Sequence, residues 1–176
     1  MDHHEYGINW YAIQVRPRTE FSTANILLSK GLEPYVPQYR ATRKWSDRQV
    51  KIDLPLLPGY VFCRFDATFQ LPVVKTSGVV RIVGTRKMPL PVSPHELDAI
   101  RRVLQVGCDV QPYPFIAVGD KVRIDKGPLA GLEGIVREHK NRQLILSITL
   151  VQQSVSVQIG DVQVSTAMAI MSTATS

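Results

Sequence analysis

The chain has 176 residues, 44% hydrophobic and 20% charged, with a formal net charge of +6 at pH 7, a balance that fits one globular domain or two small ones. No apolar run approaches the roughly 20 residues a membrane span needs, and the acidic start MDHHEYGIN lacks a signal peptide's apolar core, so a soluble, cytoplasmic protein is expected. The two distant cysteines, Cys63 and Cys108, form neither a metal-ligand spacing nor a disulfide framework, and the basic excess lies early, with fifteen Lys/Arg against ten Asp/Glu in residues 1–110.

Residues 10–16 (WYAIQVR) alternate, placing Tyr11, Ile13 and Val15 opposite Trp10, Gln14 and Arg16, the pattern of a half-buried strand. Pro17 stops it. Thr19 is the expected N-cap of a helix with Glu20 in its first turn, an apolar face of Phe21, Ala24, Leu27 and Leu28, and Gly31 as its left-handed terminator. A polar strand follows over 35–44, and a basic segment, 40–51, is expected as a hairpin loop. It holds Arg40, Arg43, Lys44, Arg48 and Lys51 against Asp47.

Residues 55–65 (PLLPGYVFCRF) turn at Gly59 into an aromatic strand. Alternation sets Val61, Cys63 and Phe65 on a core face, with Cys63 a buried free thiol, and Tyr60, Phe62 and Arg64 on the other. With Leu57 and Pro58 this second face reads either as a docking surface or as a second core face covered by a helix. A short helix interrupted or kinked at Pro72 is expected within 68–76, and a strand over 79–83.

Ser93-Pro94-His95-Glu96 is a capping box by composition, opening a helix with an apolar stripe of Leu97, Ile100, Val103 and Leu104 and a stop at Gly107. The order β-α-β-β-α-β-α predicts an α+β fold, an antiparallel sheet flanked by helices, over 1–107. Residues 108–117 hold two prolines and read as a linker. Over 118–165, five short β-branched stretches separated by turns predict a small SH3-like barrel, and 166–176 a disordered tail.

Trp10-Tyr11, the PLLPGYVF segment, Thr76-Ser77-Gly78-Val79 and Ser93-Pro94-His95-Glu96 together resemble the NGN domain of the NusG family. Gly119-Asp120-Lys121-Val122 followed by Gly127-Pro128, Gly131 and Gly134 is similar to its KOW motif. The resemblance covers about residues 9–165. It implies a bacterial, non-enzymatic transcription elongation or antitermination factor, without cofactor and monomeric, that grips the β′ clamp helices of RNA polymerase, bridges towards the β subunit and suppresses pausing. It carries the clamp-binding role onto Gln14, Leu57, Pro58, Tyr60 and Phe62. Contact with upstream DNA or nascent RNA falls on Arg40, Arg43, Lys44, Arg48 and Lys51, and the barrel would recruit NusE and the ribosome, or Rho.

The chain also departs from the family pattern. Leu57 replaces a common Phe, Leu129 and Leu132 replace KOW aromatics, and the barrel's Phe-Gly-Arg turn gives way to Ile148-Thr149-Leu150-Val151-Gln152-Gln153. These departures resemble specialised paralogues of the UpxY, LoaP or RfaH kind, which serve particular long operons, although the Val/Ile/Thr-rich barrel segment favours a constitutive barrel. The alternative reading is a ribosome-associated or RNA-binding KOW protein. Without the resemblance the basic segment would ordinarily read as a solvated hairpin tip, and of Trp10 and Trp45 the latter is the better candidate for stacking on a base. The four KOW glycines match no phosphate-binding loop and read as turns.

Overall fold

The computed structural model describes residues 7–116, 119, 121–139, 141–159 and 164–166. In chain order the N-terminal elements are β1 (Ile8–Val15), α1 (Glu20–Ser29), β2 (Glu33–Tyr35), β3 (Gln38–Trp45), β4 (Arg48–Pro55), β5 (Tyr60–Asp66), α2 (Leu71–Val74), β6 (Val79–Ile82) and α3 (Pro94–Val106). The C-terminal ones are β7 (Val110–Tyr113), β8 (Lys121–Ile124), β9 (Glu133–His139), β10 (Asn141–Ile148), β11 (Gln153–Gln158) and β12 (Val164–Thr166).

An antiparallel sheet in the order β2-β5-β1-β6 forms the N-terminal half. Its central register pairs Tyr11 with Cys63, Ala12 with Phe62, Ile13 with Val61 and Gln14 with Tyr60. Period-2 alternation therefore sends Tyr11, Ile13, Val15, Val61, Cys63 and Phe65 to one side, where they cluster with Leu27 of α1 and Val73 of α2. This face matches the sequence reading.

The inner face of α1 does not. Its buried residues are Glu20, Thr23 and Leu27, while Phe21 and Leu28 are exposed. Two polar residues go inward because each has a backbone partner waiting. The Glu20 carboxylate accepts the Gly59 N–H at 2.8 Å, and the Thr23 hydroxyl donates to the Ser77 carbonyl at 3.3 Å. The helix ends as expected, with Gly31 left-handed at φ 80° and the Gly31 and Leu32 N–H groups bonded back to the Leu28 and Leu27 carbonyls.

The polar strand expected over 35–44 is two elements. β2 edges the main sheet, and β3 pairs with β4 alone, from Gln38↔Pro55 to Trp45↔Arg48. The basic residues thus lie along the strands of a ribbon rather than in a loop, with the turn at Ser46 and Asp47.

A second sheet runs β12-β8-β9-β10-β11-β7. β8 to β11 follow four of the predicted stretches, and β12 shares only Val164 with the fifth, expected over 162–164, whose first two residues lie outside the described residues. The sixth, β7, falls inside the expected linker and pairs Val110 with Val157 and Pro112 with Val155. An edge position accounts for this, because Pro112 has no N–H to offer a further strand. Thr166, expected in the tail, closes β12, and the rest of the tail lies outside the described residues.

The halves are not separate bodies joined by a tether. One hydrophobic cluster runs from Ala12, Leu56, Leu57 and Phe62 through Leu97, Ile100 and Val103 of α3 into Leu144, Leu146, Ile148, Val155 and Val157 of the barrel. Polar bonds stitch the same seam. Glu96 accepts from the Thr149 N–H at 3.2 Å and hydroxyl at 2.6 Å. Arg102 donates to the Pro128 carbonyl at 2.9 Å, and Gln153 to the Pro58 carbonyl at 3.0 Å. The capping-box expectation for Glu96 is corrected accordingly: Ser93 is the N-cap, without a side-chain cap bond, and the glutamate reaches across to the barrel.

Candidate functional site

The sheet face opposite α1 carries one row from each of three strands: Trp10, Ala12 and Gln14 of β1, Arg64, Phe62 and Tyr60 of β5, and Arg81 of β6 beside Gln14. Its two ends differ. At the Trp10 end α3 closes the face, with the Arg101 guanidinium 4.2 Å above the Trp10 ring and 4.5 Å from the Tyr35 ring. Burial pushes the Tyr35 phenol pKa up, while the Arg101 charge pulls the other way. Cation–π contacts of this kind contribute about 0.5–2 kcal/mol.

Phe62, fully buried, lies mid-face, and Leu57 is only 1% exposed. Both belong to the cluster shared with α3 and the barrel, so in this arrangement they are core and cannot meet a partner. The covered-core alternative is the one realised at these two positions. At the far end the row reopens. Tyr60 and Gln14 are half-buried, Pro58 is exposed, and Arg81 donates to the Gln14 side-chain carbonyl at 2.8 Å.

The bend that presents Pro58 and Tyr60 depends on Gly59, at φ 84°, a left-handed conformation that costs an L side chain free energy. Its N–H is anchored by Glu20, and its carbonyl accepts from the Val15 N–H at 2.9 Å. The open end of the face is therefore held from both α1 and β1. Arg81 and Glu20 are the residues that motif reading passed over. Strand parity could have found Arg81, but the first-turn pattern that marks Glu20 says nothing of its partner, which lies 39 residues away.

On the core side, burial pushes the Cys63 thiol up to about 12, as befits a sulfur packed in an apolar layer. It is a packing residue.

The β3–β4 ribbon distributes its cations over two faces. Alternation and register set Arg43, Trp45 and Arg48 on one, and Arg40, Lys44 and Lys51 on the other. Arg40 pairs with Asp53 at 3.2 Å. Arg43, Lys44, Arg48 and Lys51 are exposed, and their side chains make no ion pair or hydrogen bond among the described residues. Four uncommitted cations on a projecting ribbon make a phosphate-compatible surface without base selectivity.

In the barrel, Val122 points into the core, and Gly127 and Gly131 lie with positive φ in the β8–β9 connection, as turn residues should. Pro128 between them takes the Arg102 bond. Gly119 sits at a bend, and Asp120 lies outside the described residues. Gly134 corrects the turn reading. It is within β9, where a Cβ would come 2.6 Å from the Ile145 carbonyl oxygen, so its role is close strand approach. Leu129 and Leu132 are buried. Among the described residues no His/Cys/Asp/Glu group could hold a metal, and no helix is long and apolar enough to cross a membrane.

Comparison with known proteins gives one direction. Residues 8–101 match the family model described as "Transcription termination factor nusG". The chain is 38% identical over 161 residues to the transcription termination/antitermination protein NusG of Deinococcus radiodurans, covering 75% of this chain and 84% of that one. It is 29% identical over 140 residues to NusG of Escherichia coli K12, covering 75% and 76%. A solved structure of Thermotoga maritima NusG, described for its domain interaction, superposes with a TM-score of 0.53 at 20% identity, over 86% of this chain and 93% of that one. That likeness speaks to the fold.

Proposed function

The chain belongs to the NusG family of non-enzymatic transcription factors, and from that premise we propose that it binds RNA polymerase at the clamp and favours uninterrupted elongation. The observation that carries this reading is the family match over residues 8–101, which spans the whole of the β1/β5 face. The docking surface proposed is the open end of that face, Gln14, Pro58 and Tyr60, with Arg81 alongside. Leu57 and Phe62 support it from beneath by fixing the strand and turn that carry the other three.

The ribbon cations Arg43, Lys44, Arg48 and Lys51, with Arg40 at the base, would then lie against the nucleic acid near the polymerase, contacting phosphates. The barrel segment that departs from the family pattern is already engaged, since Thr149 bonds Glu96 and Gln153 bonds Pro58. A Rho or NusE contact there would have to compete with these bonds, which favours a specialised paralogue serving particular operons, acting in the cytoplasm.

The test is single-round transcription in vitro with purified bacterial RNA polymerase. Wild type should shorten pauses or raise read-through, and Tyr60→Ala combined with Gln14→Ala should lose most of that effect while remaining folded. A buried interface aromatic commonly contributes ~2 kcal/mol or more, so the loss should be at least about tenfold in effective concentration. Equal activity of the double variant and wild type would remove Gln14 and Tyr60 from the interface. Absence of binding to isolated β′ clamp helices would remove the function.

A further inference from the structure

The chain has two tryptophans, and it treats them in opposite ways. Trp10 is half-buried, with a guanidinium over its ring and the Tyr35 ring edge-on at a centroid distance of 6.4 Å. Trp45 stands at the last position of β3, 74% exposed. It makes none of the aromatic or cation–π contacts that hold Trp10. Leaving so large an apolar ring in water gives up the burial that normally justifies an indole.

Its neighbours are arranged. Trp45 pairs across the ribbon with Arg48, and Arg43 lies two residues back on the same face. The two arginines therefore flank the ring along and across the ribbon, and neither guanidinium makes an ion pair or hydrogen bond among the described residues. Lys44 and Lys51 are likewise uncommitted on the reverse face. An aromatic platform between uncommitted cations is the arrangement that accepts one flat ring with a negative charge on either side. A base inside a duplex cannot present its π-face, whereas an unpaired base can.

We infer that the tip of the β3–β4 ribbon is a stacking site for an unpaired base of single-stranded nucleic acid, with Trp45 beneath the base and Arg43 and Arg48 on the adjoining phosphates. The inference rests on the reading that the ribbon faces nucleic acid, and it deepens that reading by naming the strand state and the atom set. The site selects for unpaired strand rather than for sequence, because every base offers a π-face.

The full chain is titrated into a short end-labelled oligothymidylate, the matching oligouridylate and a DNA duplex of equal length, with affinity read from the anisotropy of the label and stacking from tryptophan emission. The two single strands should quench Trp45 emission, with Trp10 shielded under Arg101 as the constant background. Trp45→Ala should weaken single-strand binding about tenfold or more while leaving duplex binding unchanged, and Trp45→Phe should restore most of it. Because the indole carries no charge, Trp45→Ala should keep the salt dependence, whereas Arg43→Gln should reduce its slope by about 0.7. The DNA and RNA arms show which strand is preferred. Duplex bound as tightly as single strand, with silent Trp45 emission, would overturn the stacking site while leaving phosphate contact by the ribbon intact. Failure of wild type to bind any of the three would overturn both. Unaltered single-strand affinity in Trp45→Ala would overturn the stacking site alone and make the ring a plug for an apolar protein pocket.

Discussion

Two β surfaces invite comparison, the β1/β5 face and the β3–β4 ribbon. Each carries five residues singled out in the sequence, yet two of those on the first, Leu57 and Phe62, are folded into the interior while the ribbon stands clear. Chemistry decides the difference. Phe62 and Leu57 bring apolar area worth about 25 cal/mol per Å² once removed from water, so α3 and the barrel close over them. Arg43, Lys44, Arg48 and Lys51 gain nothing from cover, because desolvating a charge without a partner costs several kcal/mol. Periodicity says which residues share a face. What covers that face is set by whatever else in the chain needs burying.

The largest expected effect breaks the comparison most directly. Phe62→Ala should destabilise the protein by about 3–5 kcal/mol, since a fully buried aromatic leaves a cavity at the junction of sheet, helix and barrel. Arg43→Gln and Lys51→Gln should each stay within about 0.5 kcal/mol of wild type. Urea unfolding followed by circular dichroism compares them. A loss below about 1 kcal/mol for Phe62→Ala would mean the face is not packed core, and the distinction between the surfaces would collapse.

Much of this was legible in the sequence because it rests on short-range rules. The parity of β1 and β5, the left-handed glycines ending α1 and α3, and the barrel strands all follow from neighbours within a few residues. What was not legible depends on distant partners. The buried face of α1 contains Glu20 and Thr23, which no hydrophobic periodicity would select, because their partners are backbone groups beyond the helix. β7 carries a proline and no alternation, and becomes a strand only through its edge pairing with β11. The burial of Leu57 and Phe62 needs the barrel in place.

Glu20 gives the next expected effect in size. Glu20→Ala removes a carboxylate that is nearly buried and leaves the Gly59 N–H without its acceptor. The expected loss is about 1–3 kcal/mol. Hydrogen exchange should show it locally, as faster exchange at Gly59 and Tyr60 than elsewhere in β5. Unchanged exchange at that turn would mean that the Gly59 carbonyl bond to Val15 holds it without help from α1.

The smallest effect sharpens the comparison at the seam between the halves. Glu96 and Thr149 join α3 to the barrel by two hydrogen bonds, both solvent-exposed, so their coupling should be only about 1 kcal/mol. A single variant would mislead. Glu96→Ala also removes an acidic group from the first turn of α3, where the helix dipole favours it by roughly 0.3–1 kcal/mol. A double-mutant cycle with Thr149→Val cancels that contribution, because the dipole loss is common to Glu96→Ala and to the double variant. The valine removes the hydroxyl bond at 2.6 Å and keeps the backbone N–H, so the cycle measures one of the two bonds. A coupling near 1 kcal/mol makes the polar seam part of what keeps the barrel over Phe62. A coupling of zero assigns that cover to apolar packing alone, and the covered face then owes its closure entirely to the residues that the exposed ribbon lacks.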